Sequence, residues 1–124
     1  MDSGMFKAIQ LAAAEAVKLN RAWYDQLNET YTKRKKIVFD LFDLLGFEYN
    51  KKQVGMFVWA KINKSYENAE QFSDRLLDQK AVFITPGSIF GSNGRQYVRI
   101  SLCSNIETLK EAYERVAEFV KDQK

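Results

Sequence analysis

Arg99 lies inside the apolar run Tyr97-Val-Arg-Ile-Ser101, where an ionised side chain must be paired or must face a cleft. Strand alternation puts Arg99 on one face with Tyr97 and Ser101, and turns Val98, Ile100 and Leu102 to the other. A guanidinium fixed on a strand offers a planar fork that matches a carboxylate at two points. The same position also accommodates an ion pair with a helix carboxylate, or an edge-strand arginine in solvent. The residues alone leave these readings open.

The other reactive side chains give weaker patterns. The chain contains no His and one cysteine, Cys103. With no histidine to activate it, Cys103 reads as a buried thiol at the end of an apolar strand. Ser88 and Ser92 lack a base in the same way. Asp40, Asp43, Glu111, Glu114 and Glu118 fall on polar helix faces. Gly87, Gly91 and Gly94 stand close to Arg95, but their spacing fits neither phosphate-binding glycine pattern, so they read as turns. No metal site is expected, since zinc centres draw on His or on several Cys.

These residues sit in a chain of 124, with 46% hydrophobic, 14% aromatic and 28% charged side chains and a formal charge of +3. That composition belongs to a folded globule of one domain. A single cysteine excludes an intrachain disulfide and points to a reducing, cytoplasmic setting. No apolar run approaches the length of a membrane span, and no membrane partner is expected. Much of the positive charge lies in Lys33, Arg34, Lys35 and Lys36. This run reads as a solvated helix face, so nucleic acid is not the expected partner.

The elements that must position Arg99 can be read from periodicity. Phe6, Ile9, Ala13, Val17, Asn20, Tyr24, Leu27 and Tyr31 recur at helical spacing. The pattern resumes at Ile37, Val38, Leu41 and Phe42 and stops at Gly46. A helix of that whole length is unusual in a small domain, so a break is expected between Leu19 and Asp25. Gly55–Ile62 alternates as a strand, with Met56, Val58, Ala60 and Ile62 on one face and Phe57 and Trp59 on the other. A helix over Tyr66–Gln79 turns Ala69, Phe72, Leu76 and Leu77 inward. Val82–Thr85 predicts a short strand ended by Pro86-Gly87, Gly91–Gly94 an Asn-Gly turn of positive φ, and Gln96–Leu102 a further strand. Ser104 with Glu107 predicts a capping box for a last helix that buries Ile106, Leu109, Tyr113, Val116 and Val120. The order is helix, helix, strand, helix, strand, strand, helix: an α/β fold with helices covering a short sheet.

The run Val82-Phe-Ile-Thr-Pro-Gly-Ser-Ile-Phe-Gly91, then Gly94, then Tyr97-Val-Arg-Ile-Ser101, resembles the C-terminal signature of class I/II aminotransferases, the pyridoxal-phosphate enzymes of fold type I. Gly55-Met-Phe-Val-Trp59 resembles the strand that opens the small domain's sheet in that family. Trp23, Tyr31 and Arg34 fall where its long interdomain helix carries such residues. Gly4-Met-Phe-Lys-Ala-Ile-Gln-Leu11 is similar to the segment that follows the cofactor-binding core. The resemblance covers residues 1–124 as a C-terminal small domain, with a long N-terminal interdomain helix and without the large domain.

The resemblance implies transamination between an amino acid and a 2-oxo acid. Arg99 aligns with the arginine that grips the substrate α-carboxylate, and Phe57 is a second candidate at the substrate cleft, with a place in the core as its equal alternative. The Schiff-base lysine, the aspartate for the pyridinium nitrogen and the phosphate-binding residues belong to the large domain. No catalytic residue is therefore expected here, no bound pyridoxal phosphate, and no activity of this domain alone. Its implied partners are the large domain, both substrates and, in the intact enzyme, a second subunit of a homodimer. The alternative is a stand-alone interaction or regulatory module that keeps the fold without catalysis.

Overall fold

A computed structural model describes residues 4–123. The chain divides into two compact units, residues 1–30 and 31–124. The first unit is helical. Helix α1 (Lys7–Ala16) stops at Val17, and helix α2 (Arg21–Leu45) starts a new run that continues into the second unit. The expected break is therefore present, at the early end of the expected interval. Neither Gly nor Pro makes it. The Asn20 carboxamide accepts a hydrogen bond from the Trp23 N–H at 3.0 Å, which satisfies an orphan donor and begins a helix. The early part of the apolar stripe does not form a core: no residue of α1 is buried, and Phe6 is 72% exposed.

In the second unit the far half of α2 buries Val38, Leu41, Phe42 and Leu45, an i, i+3, i+4, i+7 face. Gly46 takes φ +67° and ends the helix. Strand β1 (Phe57–Lys61), helix α3 (Ala69–Lys80), strand β2 (Thr85–Pro86), strand β3 (Tyr97–Ser101) and helix α4 (Ile106–Asp122) follow. The three strands form an antiparallel sheet in the order β1-β3-β2. The molecule is thus the mixed α/β small domain expected from the element order.

One face of the sheet is covered and the other is open, as antiparallel sheets allow. Val58, Ala60, Val98 and Leu102 point into a core shared with Phe42, Phe72 and Phe119. The Phe72 ring packs edge-on against Phe47 at 4.9 Å and Tyr66 at 5.1 Å. Phe57 and Tyr97 remain exposed on the opposite face, with Trp59, Arg99 and Ser101 half-buried beside them. The edge of β1 away from β3 also finds partners. The Glu48 backbone bridges to Lys61, and the Gln53 side chain accepts from the Trp59 N–H at 2.7 Å and donates to the Trp59 carbonyl at 2.9 Å.

Several expectations are corrected. The last helix is capped by Asn105, which accepts from the Thr108 N–H at 2.8 Å, rather than by a box of Ser104 and Glu107. Its most buried residues are Leu109, Val116 and Phe119, with Ile106, Tyr113 and Val120 only partly covered. Helix α3 starts at Ala69 because Asn68 caps it, so Tyr66 precedes the helix, and Leu77 is 43% exposed. Val82–Ile84 is not ladder. The Ile84 carbonyl instead accepts from the hydroxyl of fully buried Ser73 at 2.6 Å, and Pro86 has no N–H with which to extend pairing.

The basic run is anchored as well as solvated. Arg34 donates to the Leu102 carbonyl at 2.8 Å, and Lys35 donates to the Gln53 carbonyl at 2.8 Å. Cys103 is exposed rather than buried, because β3 ends at Ser101 and the chain turns outward there, with the Cys103 N–H donating to the Ser101 hydroxyl. Asp43 accepts from the Tyr49 hydroxyl at 2.8 Å. Burial, that hydrogen bond and the nearby Asp43 charge together push the Tyr49 phenol up to about 12. Among the described residues no helix is long and apolar enough to cross a membrane.

Candidate functional site

Arg99 occupies the middle of the central strand, with Trp59 opposite it on β1 and Thr85 opposite it on β2. The edge-strand reading of this arginine is therefore excluded. Its side chain leaves the open face of the sheet, as alternation requires, while Val98 and Leu102 on the other face are fully buried. Among the described residues no carboxylate pairs with it.

Aromatic rings take the place of an ion-pair partner. The Arg99 guanidinium carbon lies 4.2 Å from the Phe57 ring centroid, 4.0 Å from that of Phe90 and 6.0 Å from that of Trp59. Phe57 arrives from β1, on one flank of the central strand. Phe90 arrives from the turn after β2. Rings attract a cation through their quadrupole while leaving its N–H groups without acceptors. Trp59 packs edge-on against Phe90 at 5.5 Å and is itself held by Gln53. Phe57 is thus an exposed neighbour of the guanidinium, not a core residue.

The Phe90 turn is fixed by the glycines that read as simple turn residues. Gly87–Phe90 and Ser92–Gly94 are consecutive 3₁₀ turns. Positive φ occurs at Gly91 (+128°), not in the Asn93-Gly94 pair. Gly87 and Gly94 serve close approach instead: a Cβ on Gly94 would overlap the Gly87 carbonyl, and one on Gly87 would lie 2.8 Å from the Tyr97 carbonyl oxygen. The Ser88 hydroxyl also ties the turn to α3 through Glu70 at 2.7 Å.

Arg99 also borders a hollow of about 480 Å³ lined largely by apolar residues such as Ile37, Leu41, Ile84 and Leu109, together with Thr85, Ser101 and Arg115; Phe57 and Phe90 do not line it. No lysine lines it. Elsewhere the Lys80 amine is held by Asp122 at 2.7 Å and Glu118 at 3.5 Å, and these acceptors raise its pKa, which favours the protonated, non-nucleophilic form. Lys35 is engaged by a backbone carbonyl and Lys36 by Asp40. These residues do not by themselves fit a cofactor that needs a free lysine amine and a phosphate cradle. No group of three or more His, Cys, Asp or Glu side chains among the described residues forms a metal site.

Of the two site residues singled out from sequence, the fold brings Arg99 and Phe57 into contact. It adds Phe90 and Trp59, which sequence reasoning passed over. Trp59 was legible as a neighbour of Phe57 on the outward face. Phe90 was not, because its approach depends on how the turn after β2 folds back.

The class defined by this fold and site is a small α/β module that presents, on the open face of a sheet, a ring-flanked arginine with no carboxylate partner among the described residues. The chain belongs to the class I and II aminotransferases, whose family model matches residues 3–116. It is 36% identical over 117 residues to an LL-diaminopimelate aminotransferase of Oleidesulfovibrio alaskensis, covering 94% of this chain and 30% of that protein. It is 39% identical over 114 residues to the transaminase BacF of Bacillus subtilis, covering 91% and 29%. Among solved structures it is similar to an aromatic aminotransferase of Pyrococcus horikoshii, with TM-score 0.80, 32% identity and coverage of 93% of this chain and 31% of that one. Substrate-bound BacF superposes with TM-score 0.78 at 38% identity, covering 94% and 30%. The chain spans about 30% of the length of these relatives.

Proposed function

We propose that this chain is the substrate-gripping small domain of a pyridoxal-phosphate aminotransferase that moves an amino group between an amino acid and a 2-oxo acid. The observation that carries this reading is the Arg99 guanidinium, which stands against two aromatic rings on the central strand with no carboxylate partner among the described residues. Such a group is poised for a carboxylate from outside. Two parallel N–H donors would receive the α-carboxylate in one plane, which fixes the direction of the substrate's Cα–H bond. Phe57 would border the same cleft. The cofactor would be held by a large domain of the same enzyme, within a homodimer and in a cytoplasmic setting. This chain alone would not transaminate.

The test is Arg99→Lys in the intact enzyme that carries this domain. Lysine keeps the charge but loses the planar two-point grip. Truncating one partner of a desolvated charge pair costs about 2–5 kcal/mol, so kcat/KM for every amino donor should fall by about 30-fold to several thousand-fold, with the melting temperature nearly unchanged. If Arg99 were only structural, the melting temperature would fall and the kinetics would be spared. That outcome would remove the residue from the site.

A further inference from the structure

The carboxylate-clamp reading leaves open why Arg99 does not fold back onto a carboxylate or wave in solvent. We infer that Phe90 is a positioning residue: with Phe57 it brackets the Arg99 guanidinium so that only the N–H edge is left for a ligand. The inference rests on that reading and adds to it a residue that acts through Arg99 rather than on substrate.

The geometry supports it from three sides. Both ring centroids lie close to the guanidinium carbon, at 4.2 Å and 4.0 Å, and they come from separate segments, Phe57 from β1 and Phe90 from the turn after β2. A cation packed against two rings receives a ligand along its N–H edge, which suits a coplanar carboxylate and disfavours stacking of a flat apolar group. Phe90 is half in solvent, 51% exposed, so core packing does not explain its position. Its turn is instead held by the close Gly87–Gly94 approach, the Ser88–Glu70 hydrogen bond and the Gly91 N–H to Ser88 carbonyl bond at 3.0 Å. The turn therefore serves to place a ring on the clamp, and the glycines serve to place the turn.

The experiment uses the intact enzyme with three variants: Phe90→Ala, Phe90→Tyr and, as the reference, Arg99→Lys. Phe90→Ala should raise KM for both the amino acid and the 2-oxo acid by about two- to thirty-fold, the span of a cation–π contact. It should change kcat much less, since binding in ground and transition states is lost alike. Phe90→Tyr keeps a ring and should return KM to within about two-fold of wild type. The side-chain NMR signals of Arg99 supply a readout without turnover. They should be shifted upfield by the rings in wild type and Phe90→Tyr, and relax toward ordinary values in Phe90→Ala. An unchanged KM in Phe90→Ala while Arg99→Lys is crippled overturns the positioning role and leaves the clamp standing. Unchanged kinetics in Arg99→Lys overturns the clamp and this inference with it. A KM defect that Phe90→Tyr fails to rescue, or Arg99 signals indifferent to Phe90, likewise overturns the inference.

Discussion

A buried or half-buried arginine is ordinarily neutralised by a carboxylate, yet Arg99 is met by Phe57 and Phe90 instead. The rings lower the cost of desolvating the cation without consuming its hydrogen-bond donors. Tyr49 illustrates the contrasting case, a polar group whose partner is internal. Its hydroxyl donates to Asp43, and burial together with that bond pushes its pKa from 10.0 to about 12. The neutral phenol is thus favoured in the folded state. Its contribution to stability is complete below the unfolded value and is lost as pH rises from about 10 to about 12, because the unfolded chain gives up the proton first. Tyr49→Phe removes that titration. Unfolding midpoints measured in denaturant should fall less steeply with alkaline pH in the variant than in wild type. Parallel curves would show that the fold does not hold the Tyr49 phenol protonated above its ordinary range.

At the scale of elements, helix starts depend on a single side chain. α4 begins where the Asn105 carboxamide accepts from the Thr108 N–H, and α3 where Asn68 accepts from the Gln71 N–H. Ser104, one residue earlier, lies outside the helix. Asn105→Ala should therefore cost about 1 kcal/mol, in the usual range for losing a capping group, while Ser104→Ala should stay within about 0.5 kcal/mol of wild type. Paired chemical unfolding curves decide the matter, and the reverse ranking would restore the Ser104–Glu107 box. The sheet depends on equally local devices. The Gln53 side chain mimics a neighbouring strand along Trp59, and this holds the residue opposite Arg99 in register.

At the scale of the whole molecule, the chain spans about 30% of the length of its aminotransferase relatives, and Lys35, Lys36 and Lys80 are held by acceptors within the chain. Incubation of the 124-residue chain with pyridoxal phosphate followed by borohydride should label lysines only at scattered, sub-stoichiometric levels. Mass spectrometry of the digested protein checks this. Stoichiometric labelling of one lysine would place a cofactor-holding amine inside this domain and overturn the proposed division of labour.

The sequence by itself determined the order of elements, the alternation that sends Arg99 to the face opposite Val98 and Leu102, and the Pro-Gly-Ser run with its later arginine. These are properties of neighbouring residues, and periods of 2 and 3.6 are written directly into the chain. It also carried the helix break, though not its cause, since Asn20 lacks the plain signature of Gly or Pro. Four things waited for the tertiary structure. β3 is central, which turned Arg99 from a possible edge residue into a flanked one. Cys103 is exposed because the strand stops two residues before it. Arg34 and Lys35 reach backbone carbonyls far along the chain. Phe90 meets Arg99 because Gly87 and Gly94 allow two backbones to touch. Apart from the Cys103 turn, each of these joins residues separated in sequence, and no local pattern encodes a contact that depends on where another segment has packed.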